Sequence, residues 1–222
     1  MVRLDLQTHG AALYPDAARD VIAAIEALVA KLPEDQAGIR LRNHGDLADL
    51  LSAEAIIGGL AAQHIGDQAR PVRAILFDKS PGANWALDWH QDRTIAVQAR
   101  REVEGFGPWT TKAGIQHVEP PFAIIERMVT LRIHLDPAPE DNAPLLIAPG
   151  SHRLGRIPET LIQAVVAQCG RVSCLAERGD IWIYATPILH ASAAAVSPRR
   201  RRVLQVDYSA DALPGGLLWA GI

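Results

Sequence analysis

Cysteine is scarce in this chain: Cys169 and Cys174 are the two thiols among 222 residues. They lack Cys-X-X-Cys spacing, which argues against a disulfide framework or a thiolate zinc site, and both are expected to be free and at least partly buried. Long apolar runs are missing too, and no segment reaches the roughly 20 residues that a membrane-spanning helix needs. Met1 is followed by Val2-Arg3-Leu4-Asp5 rather than by the apolar stretch of a secretory signal, so the expectation is a cytoplasmic protein with no membrane partner. Basic residues are scattered except at Arg199 to Arg202, and the formal net charge is −3, which argues against a general nucleic-acid-binding surface. Four consecutive arginines still suit a small anion site. Internal repeats, low-complexity segments and β-α-β alternation are all absent, and the last of these argues against a parallel α/β fold.

What is present falls into a helical part and a β part. Apolar residues at helical spacing run from Asp16 to Leu32, closed by Pro33, and again from Asp46 to Ile65, where Gly58-Gly59 is expected to weaken or divide the helix. Residues 1 to 14 read as a short strand and turn, and Glu34 to Gly45 as loop. From Pro71 the period changes to two. Strands are expected at Val72 to Phe77, Trp85 to Asp92, Arg127 to Asp136, Leu145 to Ala148, Val172 to Leu175, Asp180 to Thr186, Leu189 to Ala193 and Arg201 to Ser209, with a short helix over Glu159 to Cys169. Many short strands preceded by helices fit a mainly β protein with flanking helices, a jelly roll of the cupin-like, double-stranded β-helix kind. A chain of this length is read as a single domain, with residues 1–70 as mostly helical support and 71–209 as the barrel core. Residues 93–121, rich in Gly and Pro, are read as a lid over the pocket mouth.

The stretch Trp85-Ala86-Leu87-Asp88-Trp89-His90-Gln91-Asp92 carries the chemistry. On a strand, His90 and Asp92 share one face and can take adjacent positions on a divalent metal, whereas on a helix they would diverge by about 200°. A third ligand must come from elsewhere. His190 closes an apolar strand and is followed by Ala191-Ser192, small residues that leave room for a ligand. Two histidines and one carboxylate leave three positions of an octahedral ion open, the arrangement of non-haem Fe(II) oxygenases. On Arg127 to Asp136, Thr130, Arg132 and His134 share a face too polar for ordinary core, which suits either a pocket wall or a solvent-facing surface. His152 is read as a turn residue bonding backbone, His117 as a solvated loop residue, and His9, His44 and His64 as surface; of the tryptophans, Trp89 and Trp109 stand near enough to the site to matter.

Together Trp89-His90-Gln91-Asp92, Asp141-Asn142-Ala143-Pro144-Leu145, Pro149-Gly150-Ser151-His152, Gly179-Asp180, His190-Ala191-Ser192 and an arginine eleven residues after His190 form an ordered set. That set resembles the phytanoyl-CoA dioxygenase family of Fe(II)/2-oxoglutarate-dependent oxygenases over about residues 72 to 209. The resemblance implies iron on His90, Asp92 and His190, with 2-oxoglutarate as co-substrate and O2 as oxidant. It implies that Arg201 holds the distal carboxylate with help from Ser192, and it brings in Lys79 and Thr130 as further co-substrate residues. Arg132, His134 and Trp109 are then candidates for contact with a small-molecule substrate. The implied reaction is hydroxylation with decarboxylation of 2-oxoglutarate to succinate. Asp92 stands where halogenating relatives carry a small residue, which argues against halogenation. Two departures touch the co-substrate shell: Asn142-Ala143-Pro144 where many members have Asn-Gly, and Phe77 where some have Asn. The rival classes are a metal-dependent hydrolase or isomerase on a cupin-like barrel and a non-catalytic binding module on the same barrel.

Overall fold

Strand β8 (Val129–His134) shows why the chain folds as it does: Leu131 and Ile133 point to one side, Thr130, Arg132 and His134 to the other. The computed structural model describes residues 3–33, 36 and 38–222, so Glu34, Asp35 and Ala37 of the expected loop at 34–45, and the first two residues, lie outside the described residues. Around β8 stand β1 (Ala11–Tyr14), β11 (Ile181–Ala185), β13 (Arg201–Ser209), β3 (Arg70–Lys79) and β2 (Ile39–Leu41). They form an antiparallel sheet in the order β1-β11-β8-β13-β3-β2.

The outer face of this sheet is apolar. Leu131, Ile133, Ile181, Ile183, Leu204, Val206 and Tyr208 pack against three helices, α2 (Ile22–Val29), α3 (Gly45–Leu50) and α4 (Ile56–Ile65). Ile22, Ile25, Val29, Leu47, Ile57 and Ala61 are the helices' contributions to this layer, and each large aliphatic side chain so buried stabilises the fold by about 1.5–3 kcal/mol. The Tyr208 hydroxyl donates to the Leu51 carbonyl, closing the layer with a hydrogen bond. Helices on the outside leave the inner face of the sheet free to be polar.

Opposite that inner face lies a smaller antiparallel sheet, β10 (Val172–Cys174), β9 (Leu145–Ile147), β12 (His190–Ser192) and β4 (Leu87–His90), in that order. Two antiparallel sheets facing each other across a cavity make the jelly roll that the strand pattern suggested. Both thiols are free: Cys174, on β10, is buried, and burial pushes its pKa up to about 12, while Cys169 is half-buried. No helix among the described residues is long and apolar enough to cross a membrane.

Several boundaries differ from the expected ones for local reasons. The first helix is confined to Ile22–Val29, and a short α1 (Leu6–His9), capped by Asp5 through the Thr8 amide at 2.7 Å, precedes β1. Such a single turn carries too few residues to show periodicity. The second helical segment breaks at 51–55, not at Gly58-Gly59. Gly58 lies inside α4 because a Cβ there would stand 2.0 Å from the Ser52 carbonyl oxygen, so the glycine permits the close crossing of the two turns.

Residues 93–121 are not one irregular loop. They hold a third antiparallel sheet, β5 (Ile95–Val97), β7 (Ile115–Val118) and β6 (Trp109–Lys112), in which β6 and β7 form a hairpin closed by Ala113 and Gly114 at φ 51° and 74°. Two positive φ values are the signature of the tight turn that matches strand twist. Ile95, Val97, Phe106 and Val118 share a core with α5 (Phe122–Glu126) and with Leu217 and Trp219 of the C-terminal segment, which bonds back to β5 through Ala220 N to Ala96 O at 3.0 Å. Gly and Pro here mark turns between strands rather than one long loop.

Candidate active site

Strands β4 and β12 place the two histidines. His90 is directly opposite His190, with ring centroids 4.3 Å apart, and a bulge sets Leu87, three residues earlier on β4, opposite Ser192, two residues later on β12. The extra residue lets Leu87 and His90 both reach the cavity, which strict alternation forbids. Regular strand ends at His90, and Gln91 turns the other way. Its amide donates to the carbonyls of Pro187 at 2.7 Å and Gly155 at 3.0 Å and accepts from the Ile157 amide at 2.9 Å. That anchorage turns Asp92 toward the histidines. Replacing Gln91 with leucine is expected to lower stability by about 2–4 kcal/mol in chemical denaturation, since each buried backbone group left unpaired costs about 1–3 kcal/mol; a change under about 0.5 kcal/mol would mean that the turn holds itself.

Ligand atoms of His90, Asp92 and His190 all lie within 4.8 Å of one another. His90 Nδ1–H donates to the Asp88 carbonyl at 2.7 Å, and His190 Nδ1–H to the Ile188 carbonyl at 3.0 Å. A carbonyl can only accept, so both rings keep the Nε2 lone pair for a cation. Burial, then His90, pushes the His190 pKa down to about 4, which leaves the ring neutral at physiological pH. For Asp92, burial pushes upward but Arg73, His190 and His90 together pull harder, so the carboxyl stays below its ordinary range. Asp92 Oδ2 is buried without a hydrogen-bond partner among the described residues. A carboxylate oxygen free of hydrogen bonds beside two available imidazole nitrogens is what a divalent metal site requires.

Behind the triad runs a chain of support that the sequence reading missed. Arg73 on β3 reaches Asp92 Oδ2 at 3.4 Å and is bonded through Nε to Asp207 on β13; Asp207 accepts from the Thr130 hydroxyl at 3.1 Å, and Thr130 lies 3.0 Å from the Thr186 hydroxyl. Burial pushes the Arg73 pKa down, but Asp207 and Asp92 more than offset it, so its net shift is upward. Alternation puts Arg73, Ile75, Phe77 and Lys79 on one face of β3, and the pairing of Arg73 with Asp207, on the polar face of β13, is what makes that face the inner one.

A cavity of about 650 Å³ opens between the sheets, within the roughly 300–1,000 Å³ that holds a small organic ligand. Its walls include His90, Asp92 and His190, and also Lys79, Arg132, Ser192 and Arg201. Arg201 is 2 % exposed and stands opposite Lys79 across the β13–β3 pair; its Nε and Nη1 have no partner among the described residues. Burial and then Arg132 push its pKa down, yet a guanidinium so shifted is still cationic at neutral pH. The other arginines of the run are ion-paired away from the cavity: Arg199 with Asp141, Arg200 with Asp78 and Arg202 with Asp136, each at 2.8–2.9 Å.

Lys79 donates to Ser192 Oγ at 2.9 Å and to the carbonyls of Trp85 and Ala193 at 2.8 and 2.9 Å. An ammonium has three donors, so none remains for a ligand; Lys79 contributes charge and fixes Ser192, whose own O–H is left to donate into the cavity. Burial, then Arg201 and Arg132, pushes Lys79 down to about 8. Arg132 donates to Gln205 Oε1 at 2.8 Å and lies 5.4 Å from the Phe77 ring, and both of those residues line the cavity.

Other expected site residues fall elsewhere. Thr130 is fully buried beneath the wall, with its hydroxyl engaged by Asp207 and Thr186, so it supports the site rather than lining it. His134 is buried past the cavity wall and neither ring nitrogen has a partner among the described residues; burial, Arg132 and Arg201 hold it well below an ordinary histidine. Trp109 packs on the core of the third sheet under Arg100, and Trp89 on the apolar cluster of α6 (Ile162–Cys169); neither faces the main cavity. His117 is not a solvated loop residue but is wholly buried on β7, held by Nδ1–H donation to the Ile115 carbonyl at 3.0 Å. His152 does contact backbone, at 3.3 Å from the Gln7 carbonyl. Ala143, in the departure from Asn-Gly, takes φ 53°, the left-handed conformation that a glycine would adopt freely.

Jelly roll and His-Asp-His cluster define a metal-dependent barrel of the oxygenase type. The model of the phytanoyl-CoA dioxygenase family matches residues 16–203, and the chain belongs to that family. No curated protein matches the sequence. Among solved structures, EctD from S. alaskensis, crystallised with 2-oxoglutarate and 5-hydroxyectoine, is similar at TM-score 0.65 and 17% identity over 92% of this chain and 73% of its own. The epimerase SnoN, in complex with Fe3+, alpha ketoglutarate and nogalamycin RO, is similar at TM-score 0.64 and 15% identity, covering 95% of this chain and 88% of its own. AviO1 from Streptomyces viridochromogenes Tue57 is 22% identical at TM-score 0.61 over 96% of this chain and 99% of its own.

Proposed function

We propose that this chain is an Fe(II)/2-oxoglutarate-dependent dioxygenase that hydroxylates a small molecule. One observation carries the reading: a His-Asp-His cluster with its ligand atoms within 4.8 Å shares a cavity with a buried arginine whose guanidinium has nitrogens to spare. Relatives crystallised with iron and with 2-oxoglutarate support it. His90 Nε2, His190 Nε2 and an Asp92 oxygen would hold the metal on one face, with Arg73 keeping the carboxylate turned inward. Arg201 and the Ser192 hydroxyl would hold the far carboxylate of 2-oxoglutarate. Ile75, Phe77, Trp85, Leu87 and Leu145 contribute apolar surface to the wall beside these polar groups. With iron bound, 2-oxoglutarate and O2 give succinate, CO2 and one oxygen atom inserted into a substrate C–H bond.

The test is O2-dependent succinate release from 2-oxoglutarate by the Fe(II)-loaded protein, with the substrate product examined by mass. Gain of one oxygen supports hydroxylation; unchanged mass with altered stereochemistry would replace it by epimerisation. No succinate under any condition would leave a hydrolase or a non-catalytic module as the better account.

Charge at Lys79 adds a pH dependence. Its pKa is depressed to about 8, so as pH rises through 8 the free protein loses this cation and anion binding must recover a proton. Affinity for 2-oxoglutarate is therefore expected to be flat below pH 7 and to fall by up to about tenfold per pH unit above pH 8. In Lys79→Met the affinity should be lower at pH 7 and nearly independent of pH. A wild-type profile flat from pH 7 to 9 would remove Lys79 from the co-substrate's electrostatics.

A further inference from the structure

The cavity holds more cationic groups than its residents and one diacid engage. Arg73 is committed to Asp92 and Asp207, while Arg132 bonds Gln205 and Arg93 bonds Glu159 and the Ile157 carbonyl, each keeping an Nε without a partner among the described residues. Lys79 has spent its donors, and Arg201 suits the far end of 2-oxoglutarate. Arg40 and Lys112 remain, and both line the cavity.

Arg40 comes from β2, where it pairs with Ile75 of β3, and Lys112 ends β6 at the hairpin turn. Neither has an ion-pair or side-chain hydrogen-bond partner among the described residues, and Arg40 Nε is buried and unsatisfied. They face a common space, since both line the one cavity, Lys112 as an exposed side chain; burial and then Arg73 and Arg40, opposed by Asp92, push the Lys112 pKa down, and burial and then Arg73 do the same to Arg40. Ile75 is four residues from Lys79, so Arg40 lies about 13 Å along the sheet from the Lys79–Arg201 pair, at about 3.3 Å per residue. Arg40 is also set to one side of the line from the triad to Arg201, because it stands on the edge strand β2 and Arg201 on β13, with β3 between them. Two unpaired cations beside Arg73 cost the empty protein repulsion, and an anion in the same cleft would relieve it.

We propose that the primary substrate is a small acid whose carboxylate or phosphate is held by Arg40 and Lys112, at the Arg73 end of the cavity, with its reacting carbon turned to the triad. This rests on the oxygenase reading and adds the substrate class to it. The third sheet then has a role: its hairpin delivers Lys112.

The experiment uses protein loaded with Ni(II) and 2-oxoglutarate, which binds without turnover. Calorimetry measures benzoate against benzamide, octanoate against octanamide and phenyl phosphate against phenol. At least one anion is expected to bind about tenfold more tightly than its neutral counterpart, equivalent to about 1.4 kcal/mol. R40Q and K112M should each remove most of that preference with the 2-oxoglutarate affinity within about twofold of wild type, and K112R should retain it. No preference for any anion, or a preference that survives R40Q and K112M, overturns the proposal. Loss of 2-oxoglutarate affinity in step with the anion also overturns it, because the two cations would then belong to the co-substrate. If wild-type protein fails to bind 2-oxoglutarate at all, the oxygenase reading falls first and this falls with it.

Discussion

Replacing Arg201 with alanine is expected to raise the 2-oxoglutarate dissociation constant about thirty-fold to several thousand-fold, the equivalent of about 2–5 kcal/mol. The magnitude follows from burial: the guanidinium is 2 % exposed, and truncating one partner of a desolvated charge pair leaves the other unpaired. Arg199, Arg200 and Arg202 are the internal controls. Their side chains are ion-paired with Asp141, Asp78 and Asp136 and do not line the cavity, so their alanine variants should change affinity by less than about 1 kcal/mol. Arg202→Ala also removes the guanidinium that bonds both Asp136 oxygens at 2.8 Å. Titration of the four variants with the metal present decides the matter. A loss at Arg202 with Arg201 near wild type would mean that the co-substrate does not use the inner face of β13.

Arg73→Met is expected to cost about 3–5 kcal/mol of folding stability, the penalty for leaving a buried partner charged and alone. Asp207 is 2 % exposed and has Arg73 as its cationic partner, so methionine fills the volume and removes the charge it needs. Removing Asp207 as well should return part of the loss, since a whole buried pair replaced by apolar groups is often nearly neutral. R73M/D207L must then be more stable than R73M in urea denaturation. The same variant separates structure from function, because Asp92 still lacks its orienting partner and metal affinity should stay reduced. A penalty under about 1 kcal/mol for R73M would show that solvent screens the pair.

These two arginines mark the limits of what could be read from the sequence. Arg201 was readable through the family resemblance, whose spacing from His190 selects it; alternation added only that Val203, Gln205 and Asp207 continue its face and Leu204, Val206 and Tyr208 the other. Arg73 was not, because an arginine alternating with Val72 and Ala74 looks like the solvent side of an ordinary strand. Only the pairing with Asp207 reveals that this side faces inward. The long strands β3, β8 and β13 were legible since helices cover one face and a polar cavity the other, which gives a clean period of two. Short elements were not: α1, α5 and the 109–118 hairpin depend on single caps or turn residues. The two anion-facing residues Arg40 and Lys112 lie on such elements. Thr130 was placed on the correct face, but its neighbours in space, Asp207 and Thr186, belong to other parts of the chain and turn its hydroxyl away from the cavity. The bulge that brings Leu87 beside His90 likewise comes from pairing with β12, which no single strand records.

The most direct test of the central claim is an anaerobic absorption spectrum. Fe(II) added to the protein in the presence of 2-oxoglutarate should produce a weak visible charge-transfer band, and His90→Ala, Asp92→Ala and His190→Ala should each abolish it while retaining the wild-type fold by circular dichroism. A wild-type protein without the band, or three variants that keep it at full intensity, would contradict the assignment of the metal and co-substrate to this cavity.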